Sequence, residues 1–267
     1  MDSFNPASLS STSERIEEMK KGFFTSDLST DEFTALHLAG FSPLGMVVGS
    51  SVYHIGFQSQ RYNVSQELTV LTEAMHNARE LALSRMVAEA QALGADGIVG
   101  TDLKMQTYVG GLEVVEFISI GTAIKFNKAP GTLRRSDGMP FTSHISGQDF
   151  VKLWQAGFVP VHFSFGVCVY HVAHQSAFAS LKQMGRNVEM PIYTKAIYEA
   201  REIALERVQQ EAIAWGATGV VGTTLNVSHH IWGESAVEFM AMGTAVKAHN
   251  LTPDPIQNVT ITMSMDK

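Results

Sequence analysis

The residues of this chain whose types suit chemistry are a few histidines, two glutamates, paired tyrosines and one cysteine. Tyr53-His54 and Tyr170-His171 are the same dipeptide at two places, 117 positions apart (170 − 53). An imidazole beside a phenol can contact a ligand or hold a metal. The plainer reading is an aromatic anchor followed by a strand-end histidine in water. His171 and His174 stand at i,i+3, which on a helix aims both at one ion and on a strand turns them to opposite faces. Phe57 occupies the matching position of the first dipeptide's neighbourhood, so the first copy lacks that second imidazole. His229-His230 aligns with Thr107-Tyr108 and reads as an exposed turn. Cys168 aligns with Ser51 and reads as a small buried residue rather than a soft-metal ligand. Glu116 and Glu238 precede Ile118 and Met240 by two residues, which puts a carboxylate on an apolar strand face. Each is a candidate ligand, an inter-subunit hydrogen-bond acceptor, or a solvated strand start.

Recognisable catalytic patterns are missing from the sequence: it holds no nucleophile elbow, P-loop, HExxH or paired CxxC. The glycines of Gly94–Gly100 follow a helix and open a strand. A phosphate cradle needs the reverse order, with backbone N–H groups at a helix N-terminus. No catalytic residue is assigned, and the expectation is a protein that is not an enzyme.

The elements that must position these side chains occur twice. FTSDLSTDEF at 24–33 matches FTSHISGQDF at 141–150, and the same shift superposes Gly49 on Gly166. ARELALSR at 78–85 matches AREIALER at 200–207, a shift of 122, so the second copy gains five residues between Gln175 and Glu189. The copies span 23–126 and 140–248, with a linker at 127–139 and tails at 1–22 and 249–267.

Within one copy, Ser29 or Thr30 caps a short helix carrying Phe33 and Leu36, which Gly40 stops; Ser146, Phe150 and Gly157 repeat the design. A strand follows at 46–54. A long helix from about Thr72 to Leu93 carries Met75, Ala78, Ala82, Met86 and Ala90 on one face. Strands at about 97–107 and 113–126 close the unit around a turn containing Gly110-Gly111. The fold class is α+β: two tandem repeats, each a long helix packed on a small antiparallel or mixed sheet. Gly49, Ser51, Ser119, Gly121 and Ala123 give the strands a small-residue face. Glycine inside a strand implies close approach of another backbone. The expectation is that a sister repeat or another subunit supplies it.

Basic residues number 19 against 26 acidic ones, a net charge of −7, and the basic ones are dispersed. Phosphate neutralisation needs clustered Lys and Arg, so nucleic acid is not expected as a partner. One cysteine rules out a disulfide framework within the chain. The N-terminal stretch has no apolar core of signal-peptide length, and no run reaches the ~18–20 residues that span a bilayer. A cytoplasmic protein without membrane insertion is expected.

The paired LGA/WGA–VGT helix-to-strand junctions, the two GTA endings and GSSVYHIG in the first strand resemble the YbjQ-like family of heavy-metal-binding domains. That resemblance implies a dodecin-related α+β domain, ring assembly of commonly five domains, and no established catalytic residues. Together these readings describe a non-enzymatic, homo-oligomeric binding protein of unknown ligand. The form expected is a pentamer of tandem chains in two stacked rings. The alternatives are a metal-handling protein with a divalent metal as cofactor, and an enzyme with an inter-subunit pocket.

Overall fold

The computed structural model describes residues 10–54, 64–108, 114–173, 191–229 and 236–251. In chain order these form α1 (Ser10–Lys20), α2 (Thr30–Leu38), β1 (Phe41–His54), β2 (Gln66–Glu67), α3 (Thr69–Ala92), β3 (Gly97–Tyr108) and β4 (Val114–Phe126). They continue with β5 (Phe141–Thr142), α4 (Gly147–Gln155), β6 (Phe158–His171), α5 (Pro191–Ala214), β7 (Gly219–His229) and β8 (Ala236–Ala248). The fold is α+β with two four-stranded sheets, in the orders β1-β4-β3-β5 and β2-β6-β8-β7. The short strands are exchanged: β2 belongs to the first repeat but pairs with β6, and β5 belongs to the second but pairs with β3. The β3–β5 pair is parallel, so the first sheet is mixed, and the second is antiparallel throughout.

Local chemistry sets the short helices. Ser29 accepts from the backbone of Glu32 while the Glu32 carboxylate accepts from the Ser29 N–H, a capping box that settles the choice between Ser29 and Thr30. The long helices end where Gly94 and Gly216 adopt φ of +75° and +72°, a region open to glycine.

The small-residue faces have a different occupant from the one expected. An added Cβ on Gly49 would lie 2.1 Å from the Ala82 carbonyl, and one on Gly166 would lie 2.1 Å from that of Ala204. Ser51 donates to the Ala78 carbonyl, and the Ser119 hydroxyl lies 3.2 Å from Met86 Sδ. Each repeat's own long helix therefore sits on its small face. Gly121 serves its own sheet: a Cβ there would strike Ile98 of the neighbouring strand at 2.7 Å, beside the irregularity between Val99 and Asp102. Because these contacts lie inside the repeat, a bulky residue at Gly121 disturbs the repeat itself.

The sister repeat covers the large-residue face instead. Helix α3 buries Met75, Ala78, Ala82, Met86 and Ala90 toward its own sheet, and the adjoining stripe Arg79, Leu83, Val87 is buried as well. That second stripe carries α3 onto Phe163, Phe165, Val167 and Val169 of β6, in one continuous core. A helix apolar on two sides is one buried on two sides. The matching face of the first sheet, Met46, Val48, Ser50, Ile118 and Ile120, stays half-buried, and Val52 is 60% exposed.

Residues 1–22, read from sequence as a tail, include α1, which packs on β1. Ile16 and Met19 are buried, and Arg15 donates to the Met46 carbonyl and to Glu89. Two apolar residues at i,i+3 are enough to seat a helix on a sheet edge but leave little periodic signal. The linker is anchored too, with Leu133 buried and the Gly131 N–H held by Asp96.

Gly166→Ala is expected to lower unfolding stability by about 1–3 kcal/mol or more, the usual cost of overpacking. Gly219→Ala, which meets nothing within 4 Å, is expected to stay within about 0.5 kcal/mol of the parent, as open surface substitutions do. Urea denaturation followed by far-UV circular dichroism reads both.

Candidate functional site at the seam between the repeats

Strand alternation divides the expected site residues between two surfaces. Val169 is paired across the strands with Glu238, and Val52 with Glu116. His171 and Glu238 therefore share the outer face of the second sheet, while Tyr170 points toward α5. Tyr170 is buried, and its hydroxyl donates to Glu199 Oε2 at 2.7 Å. Burial first, and then the Glu199 carboxylate, push the phenol up to about 12. His171 is 1% exposed because β2 pairs across it. In the first repeat no described segment pairs there, and Tyr53 is half-buried while His54 is exposed. The structure thus gives the two Tyr-His pairs different surroundings. His174, the Gly110-Gly111 turn and the region of the five extra residues lie outside the described residues, as do His230 and the His229 side chain.

Glu238 is 2% exposed and forms an ion pair with Arg79, itself 3% exposed, from the sister repeat. The Arg79 guanidinium also lies 4.7 Å over the Phe117 ring. A carboxylate read from sequence as a ligand, a subunit contact or a solvated strand start is a charge buried in the seam. Its counterpart Glu116 is half-buried on the open face of the first sheet.

Cys168 is buried under α5. Burial first, and then the Glu67 carboxylate, push its thiol up to about 12 against the lowering influence of Arg207. The metal-binding form of cysteine is the thiolate, so the side chain is a poor soft-metal ligand where it stands.

A grouping that sequence reading missed lies at the edge of the same seam. Glu80 of α3, His162 of β6 and Glu211 of α5 each place one ligand atom within 4.8 Å of the others. His162 is 1% exposed; its Nε2 lies 3.1 Å from Glu211 Oε1. Glu211 Oε2 accepts from the Phe165 N–H at 2.8 Å. Arg135 of the linker approaches His162 Nδ1 at 3.2 Å, is paired with Asp137, and lies over Trp215, which stacks on the His162 ring. One Glu80 oxygen is buried without a hydrogen-bond partner. Sequence held only a faint signal of this group: His162 aligns with Gly45, so no repeated motif marks it, and its members lie up to 131 positions apart (211 − 80).

Comparison with known proteins agrees with the fold. The family described as "Putative heavy-metal-binding" (YbjQ) matches residues 38–127 and again 163–249. The chain belongs to this family and carries its domain twice. It is 51% identical over 235 residues to a protein of Mycobacterium tuberculosis named an encapsulin nanocompartment protein, covering 88% of this chain and 89% of that one. It is 38% identical over 88 residues to a UPF0145 protein of Alkaliphilus metalliredigens, covering 31% of this chain and 84% of the relative. A UPF0145 protein of Methanococcus maripaludis is 39% identical over 87 residues, covering 31% and 76%. These shorter relatives are matched over about one repeat's length. No helix among the described residues is long and apolar enough to cross a membrane.

Removing one member of the Arg79–Glu238 pair is expected to cost about 3–5 kcal/mol, because the other charge stays buried. Arg79→Met combined with Glu238→Met is expected to cost much less than the sum of the two. Equilibrium unfolding of the four proteins of this double-mutant cycle measures the coupling.

Proposed function

We propose that the chain is a non-enzymatic, self-assembling subunit that repeats its internal seam between copies. The observation that carries this reading is a filled site and its open duplicate. At Gly97 the Phe141 ring sits where a Cβ would be, 2.1 Å away, and β5 pairs with β3 beside it. At Gly219, the residue that matches Gly97, nothing lies within 4 Å. Leu205, Gln209, Ile213, Val220 and Thr223 line a groove of about 340 Å³ there.

The missing occupant has a counterpart in the sequence. Phe24 matches Phe141, and Phe33 matches Phe150. The Phe24–Phe33 rings stack at 6.1 Å as Phe141 and Phe150 do at 5.7 Å, but Phe33 is 38% exposed and Phe150 is fully buried. A second copy offering Phe24 and Phe33 fills the groove beside Gly219. The same motion lays α5 of the first copy over Val48, Val52, Ile118 and Ile120 of the second. Arg201 then stands toward Glu116 as Arg79 stands toward Glu238. Tyr53, His54 and Glu116 become contacts of this junction.

The contact is heterologous, one surface against a different one, so it propagates until a ring closes. The sister repeats already lie side by side through it. That supports a ring of whole chains rather than a pentamer with its repeats split between two layers. Six repeats from three chains is the even number next above the five that the family resemblance implies. The relative named as a nanocompartment protein supports self-association in the same direction. The dispersed charge supports the absence of nucleic acid as a partner, and the single cysteine fits a cytoplasmic setting. The metal-binding reading is favoured separately by the Glu80, His162 and Glu211 grouping.

Light scattering is expected to find the parent protein well above the 29.1 kDa monomer. Gly219→Phe, which fills the groove from within, and Phe33→Asp, which spoils the opposing surface, are each expected to give folded monomers. Mixed together, they retain one intact pair of surfaces and are expected to form a dimer. A monomeric parent, or a mixture that stays monomeric, overturns the reading.

A further inference from the structure

Two carboxylates and an imidazole converge where the sister repeats meet, and the equivalent place in the first repeat shows what such a place holds. Glu89 matches Glu211. Its Oε2 accepts from the Val48 N–H at 2.9 Å, as Glu211 accepts from Phe165, and it also binds the Arg15 guanidinium at 2.6 Å. The first repeat therefore builds a permanent cation into this position, carried by α1. In the second repeat the His162 side chain stands where the first has Gly45 and the Met19 sulfur packed against it. Glu80 arrives from the sister helix as a second carboxylate.

We propose that Glu80, His162 and Glu211 form a binding site for one divalent first-row transition cation per chain, at the seam between the repeats. All three ligands belong to one chain, so the site stands or falls independently of assembly between copies. A buried carboxylate oxygen with no partner is costly, and an ion supplies both the charge and the bond that Glu80 lacks. Imidazole and carboxylate ligands suit zinc and its neighbours, whereas soft ions prefer thiolates. Cys168 packs in the core beneath α5, away from the His162 and Glu211 pair, so the chemistry here is that of a borderline rather than a soft metal. Zinc binds nitrogen and oxygen at about 2.0–2.2 Å, which sets tetrahedral ligands roughly 3.3–3.5 Å apart. His162 Nε2 and Glu211 Oε1, at 3.1 Å, are already near that separation. A rotation of the Glu80 side chain brings in the third ligand, and water completes the sphere.

Arg135 acts against the ion. A guanidinium only donates, so its approach to Nδ1 holds a neutral His162 with the proton on Nε2, donating to Glu211. Binding moves that proton to Nδ1 and gives the Nε2 lone pair to the metal. Arg135 then withdraws to Asp137 and Trp215, which it already contacts.

Isothermal titration of zinc chloride into the metal-free full chain tests the site, with thermal unfolding measured alongside. One equivalent is expected to bind and raise the midpoint. Glu80→Gln is expected to weaken that binding by at least about 100-fold, beyond the ~10–100-fold usual for losing an outer-shell partner. The same variant leaves the metal-free protein as stable as the parent or more so, because it removes one of two facing carboxylates. Arg135→Gln is expected to tighten binding, which a purely structural arginine would not do. Zinc binding that survives Glu80→Gln and His162→Gln unchanged, or no binding at one equivalent, overturns the proposal.

Discussion

The double burial of α3 is the constraint on which the rest of the structure depends. One helix closes the small-residue face of its own sheet and the large-residue face of the next. The two faces demand different things. Against its own sheet the helix backbone comes close enough that Gly49 and Ser51 must stay small. Against the sister sheet the contact is made by side chains, with Leu83 and Val87 in one core with Phe163 and Phe165, and Arg79 reaching Glu238. An ion pair this deep adds little net stability over an apolar pair of similar shape, but each partner penalises any packing that leaves the other alone. It fixes where the sister helix lies along the sheet more than how tightly it binds.

The asymmetry between two nearly identical repeats follows from that constraint. The second sheet has α3 on it, and β6 is buried along nearly its whole length. The matching large-residue face of the first sheet has no sister helix on it among the described residues and remains half open. Helix α5 buries alanines and Val208 toward its own sheet, while its second stripe, Arg201, Leu205 and Gln209, is half-buried or exposed. Duplication therefore leaves the chain with one completed seam and the two unmatched halves of another. The seam is also where chemistry gathers, because it is the place in the chain where groups from both repeats are buried together.

Much of the fold was legible in sequence, for definite reasons. The duplicated letters fixed the repeat, and capping residues and glycines marked the helix ends at Ser29, Gly40, Gly94 and Gly216. The small face was legible as a close approach, but not what approached it, since glycine records proximity and not identity. Arg79 carried no signal in the sequence because its partner, Glu238, lies 159 positions away (238 − 79). His162 was invisible for the opposite reason: it breaks the repeat, and it gains meaning only when α3, β6 and α5 converge. Tyr170 and His171 were found by their repetition, yet their burial depends on β2, a two-residue strand with almost no sequence signal.

The central claim is that one seam is used twice, once within the chain and once between chains. The most direct measurement is a disulfide engineered across the second use, with Phe24→Cys and Gly219→Cys in a Cys168→Ser background. The strands carrying Gly97 and Phe141 are directly paired, and pairing of that kind brings Cα atoms within the range a disulfide spans. Under mild oxidation the account predicts covalent links between copies, seen as a ladder on non-reducing electrophoresis that ends at the size of the closed ring. A protein that stays a single uncross-linked chain, while remaining folded, would contradict it.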